Sequence, residues 1–164
     1  MGDISFGISL FYFALISDYN IGRYSKQNII SMKFREFDTI RELRKYLETE
    51  ENIYGYGYIY VLRLSDKTTK IGKSVGVPER VKRHKQQYRK KGIEIEKIAI
   101  SEPISNHDYV EEVLHTAFDK YRYYNEVNYE TYNLLYEDVI NKYIPAIEVF
   151  YEEIYKRPLI PKTL

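Results

Sequence analysis

Gly57-Tyr58-Ile59-Tyr60-Val61, followed by Lys70-Ile71-Gly72-Lys73-Ser74, decides how this 164-residue chain folds. The first stretch continues to Leu64 as a run of β-formers. Ser65-Asp66-Lys67-Thr68-Thr69 turns it, and residues 70–74 return, giving a hairpin with a polar five-residue loop. Period two puts Tyr58 and Tyr60 on one face of their strand, and Lys70 with Gly72 on one face of theirs. A glycine at position 72 lets backbone or ligand come close, although a plain turn or bulge would use one equally well.

After the hairpin, Pro78 suits the first turn of a helix. Val77, Val81 and Tyr88 share one side of that helix, and arginines and lysines cover the rest. Gly92 ends it, and the alternation in residues 93–100 predicts a third strand. Residues 107–121 are the most periodic segment, with Asn106 as N-cap and Val110, Val113, Leu114, Ala117, Phe118 and Tyr121 along one stripe. At about 100° per residue, Glu111 lies at the margin of that stripe and Glu112 points into solvent. Before the hairpin, Asp38 is expected to cap a helix through Leu47, and residues 48–57 read as a connector. From Tyr132 onward the pattern is helical again, with an interruption expected at Pro145.

Residues 1–35 carry no clear motif. Residues 4–16 are strongly apolar but too short to span a bilayer, and they lack flanking positive charge. Met1-Gly2-Asp3 opens like a myristoylation signal, yet Phe6 stands where Ser or Thr is required. A buried strand or helix is the expectation there, with a membrane, protein-partner or homo-oligomer contact as the competing one.

Composition narrows the classes. A chain that is 44% hydrophobic and 30% charged should fold as a soluble globule, with an intracellular (cytoplasmic or nuclear) location expected. Without cysteine there are no disulfides or thiolate metal sites. With only 3 histidines, any metal is expected to be a hard cation on carboxylates. The net charge of +1 hides an asymmetry: twelve Lys and Arg residues between Arg63 and Lys97 face only Asp66, Glu79, Glu94 and Glu96. A local basic patch of this kind suits an anionic partner, nucleic acid first, although a solvated helix face is the plainer explanation of the patch alone.

Tyrosine, lysine, arginine and glutamate in this order can assemble a phosphodiester-cleaving site. Hydrolysis needs an activated nucleophile, charge on the phosphoryl oxygens and help for the leaving oxygen. Tyr60 can activate water if nearby cations lower its pKa. Arg80 can fork onto phosphate oxygens, and Lys70 adds positive charge. Glu111 can hold Mg²⁺. Lys73, Arg83, His84, Lys85 and Arg89 are expected on nucleic acid. His84 follows Arg80, and His115 follows Glu111, by four residues, hence on shared helix faces. Either could move a proton, but a surface histidine is the expectation for His84. Tyr54, Tyr56 and Tyr58 could stack bases, with strand packing as the plainer role.

These residues resemble the GIY-YIG endonuclease superfamily, and within it the T5orf172-type branch of phages and large DNA viruses. Tyr58-Ile59-Tyr60 looks like the first motif, with Tyr60 in the place of the catalytic tyrosine. Lys70-Ile71-Gly72-Lys73-Ser74 resembles the second, with lysine replacing tyrosine as in that branch. Pro78-Glu79-Arg80 matches the following arginine. Glu111-Glu112-Val113-Leu114-His115 with Phe118 resembles its Glu-x-x-Leu-His-x-x-Phe helix, and Tyr129-Glu130-Thr131-Tyr132-Asn133-Leu134 a closing motif with altered aromatics. The resemblance implies an α+β core, a three-stranded antiparallel sheet flanked by helices, with N- and C-terminal helical additions. It implies Mg²⁺ or Mn²⁺ and cleavage of nucleic acid, DNA before RNA. The expected organisation is an N-terminal extension over 1–53, a nuclease core over 54–135 and a C-terminal helical extension over 136–164. Lys70 departs from the superfamily's second tyrosine and is a poor base when protonated. A catalytically retired nucleic-acid-binding module, or a viral protein-interaction protein, therefore stands beside a metal-dependent nuclease.

Overall fold

The computed structural model describes residues 32–123 and 130–161. Among these, β1 (Phe34–Phe37), β2 (Tyr58–Leu64), β3 (Thr69–Ser74), β4 (Ile95–Ser101) and β5 (Thr131–Tyr132) form one five-stranded sheet in the order β1-β4-β2-β3-β5. Every neighbouring pair is antiparallel. The expected three-stranded sheet is thus too small. Its strands, β4-β2-β3, form the middle, and β1 and β5 extend it at both edges. Both edge strands are short, four residues and two, so neither carries enough alternation to be read as a strand.

Period two separates the two faces of the sheet. Ile59, Val61, Ile71 and Ala99 point into one core with Val110, Val113, Leu114, Ala117 and Phe118 of α3 (His107–Phe118) and with Ile144 and Ile147 of α5 (Ile144–Tyr155). Tyr60, Leu62, Leu64, Ile98 and Ile100 point into the other. That second core is closed by Leu43 of α1 (Ile40–Leu47) and by Val77, Val81 and Tyr88 of α2 (Val77–Arg89).

Local chemistry sets the element ends, with some corrections. The N-cap of α1 is Thr39, not Asp38: the Glu42 amide donates to Thr39 Oγ1, and the amide of Asp38, one residue before the cap, donates to the Glu42 carboxylate. Asn106 occupies the N-cap of α3 without capping it, because its side-chain amide donates to the Leu159 carbonyl instead. Helix α3 stops at Phe118 and one 3₁₀ turn, Asp119–Tyr121, follows. Pro145 interrupts nothing. A short α4 (Tyr136–Asp138) runs into a π turn, Val139–Tyr143, and Pro145 falls in the first turn of α5, where no amide is needed. The readings of residues 1–31 lie outside the described residues. No described helix is long and apolar enough to cross a membrane.

Candidate functional site

The site gathers at the β3 edge. Strand β5 pairs with Thr69 and Lys70 of β3, which brings Glu130 beside Ile71, whose amide donates to the Glu130 carbonyl. On the α2 face, Tyr60 lies across from Gly72. A side chain at position 72 would place its Cβ 2.5 Å from the Tyr60 ring carbon Cζ. The bare glycine is what lets the tyrosine hydroxyl reach past the strand; the space goes to Tyr60 itself.

Tyr60 is fully buried, and its hydroxyl sits 2.8 Å from His84 Nε2. The helical period of α2 turns Val77, Val81, His84 and Tyr88 inward together, so His84 is a buried partner of Tyr60 and not a surface histidine on nucleic acid. Burial, followed by the charges of Lys70 and Arg80, holds the imidazole down at a pKa of about 4, so it is neutral at pH 7. Half-buried Arg80 stands beside the Tyr60 hydroxyl, the largest influence raising its own pKa, while its buried Nε has no hydrogen-bond partner. The expectation that cations lower the Tyr60 pKa fails. Burial raises it strongly, and the opposing pull of Arg80 is smaller.

Lys70 is a buried lysine and not an open phosphate contact. Fully enclosed, its ammonium lies 2.5 Å from Glu130 Oε2. Burial draws its pKa down, against the Glu130 carboxylate. The Glu130 pKa is lowered: burial works to raise it, but Lys70 and His115 outweigh that.

Glu111 and His115 come from successive turns of α3, with His115 Nε2 3.4 Å from Glu111 Oε1. Lys73 Nζ lies 3.2 Å from Glu111 Oε2 and also pairs with Asp108. Burial pushes the Glu111 pKa up, yet His115 and Lys73 together bring it below the usual value. Glu112 is exposed, as its helical phase predicts. His115 Nδ1 bonds the Tyr132 hydroxyl on β5. Donor atoms of Glu111, His115 and Glu130 all lie within 4.8 Å of one another, a spacing that suits one cation. Two carboxylates with a buried imidazole nitrogen fit a divalent ion.

Of the sequence-derived residues, Tyr60, Lys70, Gly72, Arg80, His84, Glu111 and His115 meet here. Tyr58 instead packs at the rim of the α1–α2 core. Arg83, Lys85 and Arg89 stand exposed on the outer side of α2, whereas Lys73 is engaged by two acids. Tyr54 is wholly exposed in the preceding loop. Glu130 and Tyr132 were not singled out from sequence. The signal available was Lys70 itself: it shares a strand face with Gly72 and Tyr60, and once that face is interior the lysine requires a carboxylate partner.

A family model described as the T5orf172 domain matches residues 56–147, more than half of the chain. The chain belongs to the T5orf172 domain family. The domain contains every residue of the site, from Tyr60 to Glu130, whereas β1 and α1 precede it and most of α5 follows. No curated protein and no solved structure gives a significant match.

Proposed function

We propose that this T5orf172-domain protein is a GIY-YIG-type, divalent-metal-dependent nuclease, of phage or viral type, hydrolysing phosphodiester bonds of DNA with weak sequence selectivity. The observation that carries the reading is the Tyr60–His84 contact of 2.8 Å, with the Arg80 charge beside it and the Glu111–His115–Glu130 cluster nearby. A buried phenol of raised pKa is no standing base. It can, however, accept a proton from water in the same motion in which it gives its own to neutral His84 Nε2. Arg80 then brings its guanidinium charge to the phosphoryl oxygens. Glu111 would hold Mg²⁺ or Mn²⁺, and such an ion supplies Lewis-acid stabilisation of phosphoryl charge and of the leaving oxygen. Exposed Arg83, Lys85 and Arg89 offer charge to a phosphate backbone, a contact that positions nucleic acid without reading bases.

A second reading, a nucleic-acid-binding module without turnover, is favoured by one observation: Lys70 is enclosed and paired with Glu130, so it meets no phosphate. Incubating the purified protein with supercoiled plasmid in Mg²⁺ or Mn²⁺ separates the two. Nicking that stops with a chelator is the expected outcome. Salt-sensitive binding with no nicking in either metal would leave the binding module.

A further inference from the structure

We infer that Glu111, His115 and Glu130 together form a three-donor site for a divalent transition-metal ion, in which His115 Nε2 ligates directly and sets a preference for Mn²⁺ over Mg²⁺. The inference rests on the nuclease reading for its purpose but on separate observations for its geometry.

Each carboxylate is oriented in the same way. Glu111 gives Oε2 to Lys73 at 3.2 Å and turns Oε1 toward His115 Nε2 at 3.4 Å. Glu130 gives Oε2 to Lys70 at 2.5 Å and turns Oε1 toward the same nitrogen at 4.0 Å. Two lysines thus hold the carboxylates from outside, and their inner oxygens converge on one imidazole. That nitrogen is buried, yet it makes no hydrogen bond to either acid. At 3.4 Å from Glu111 Oε1 and 4.0 Å from Glu130 Oε1, the nitrogen stands close to both acids without completing a hydrogen bond to either.

The other ring nitrogen is accounted for. His115 Nδ1 meets the Tyr132 hydroxyl, on a tyrosine that is itself fully buried. A ligating histidine is ordinarily fixed by such a bond on its far nitrogen, which selects the tautomer and aims the lone pair inward. With Nδ1 donating to the Tyr132 hydroxyl, Nε2 presents its lone pair between two carboxylate oxygens, an arrangement that a cation completes. Mg²⁺ takes oxygen and retains water, whereas an imidazole donor suits transition ions.

The test reads the metal directly, on the full chain without nucleic acid. Titration calorimetry with Mn²⁺ and Mg²⁺ should give at least about tenfold tighter Mn²⁺ binding. Spin-echo spectroscopy of bound Mn²⁺ should show modulation from a coordinated nitrogen. His115→Gln should lose both the modulation and the preference, and exposed Glu112→Gln should keep both. Absence of the nitrogen signal in the wild type, its survival in His115→Gln, or equal affinity for the two ions would overturn the inference. If His115→Gln fails to fold, the wild-type nitrogen signal decides alone. Nitrogen ligation without nicking would overturn the nuclease reading and leave this site standing; nicking without it would do the reverse.

Discussion

At the scale of single residues, the site depends on burial more than on charge. Tyr60 was legible because strand period and motif order both select it. Its raised pKa was not, because burial is decided by what α2 lays over it. His84 shows the same division. Its placement four residues after Arg80 gives the shared face, but only packing against the sheet makes that face interior. A folding consequence follows from the sign of its shift. Folded His84 has a pKa of about 4 against an ordinary value of 6.5. Between those pH values the unfolded chain binds more protons, so stability rises with pH. The contribution is complete above about pH 6.5 and is lost as pH falls toward 4, amounting to up to about 3 kcal/mol. Urea unfolding of His84→Gln across this window should therefore show a flatter pH dependence than wild type. Parallel curves would mean that His84 is not held neutral by the fold.

At the scale of elements, the hairpin, α2, β4 and α3 were readable because each carries enough residues of one period. The edge strands were not. Two residues of β5 show no period at all, and only their pairing with Thr69 and Lys70 makes them a strand. Thr39 was missed because Asp38 beside it has equal capping chemistry, and the register of the first turn chooses between them. The misread Pro145 has a similar cause, since a π turn before it can absorb what the ring forbids. The β3–β5 contact is held partly by Lys70 and Glu130, whose burials are unequal: the lysine is 0% exposed and the glutamate side chain 35%. Removing the acid strands a buried cation, whereas removing the lysine leaves a carboxylate that water can reach. Glu130→Ala should thus destabilise by about 1–3 kcal/mol, and more than Lys70→Met, in thermal or urea unfolding. The opposite order would show that the lysine does not depend on this partner.

At the scale of the whole molecule, the sheet is covered on both faces, and the site sits where the cover ends, at the β3 edge. Exposed Arg83, Lys85 and Arg89 lie on the solvent side of α2, whereas His84 turns inward, so the proposed binding and chemistry would use two faces of one helix. Charge reversal of Arg83, Lys85 and Arg89 together should leave the fold intact and weaken DNA binding. It should also make the dependence of log K on log salt shallower, by about 0.9 for each phosphate contact removed. An unchanged slope would place the nucleic acid elsewhere. The central claim is that Tyr60 and Glu111 serve one hydrolytic reaction. Its most direct test is the nicking rate of supercoiled plasmid in Mn²⁺ for wild type, Tyr60→Phe and Glu111→Ala, each shown to be folded. The account predicts cleavage by the wild type and a loss of about 10²-fold or more in both variants. Cleavage at wild-type rate by either folded variant would contradict it.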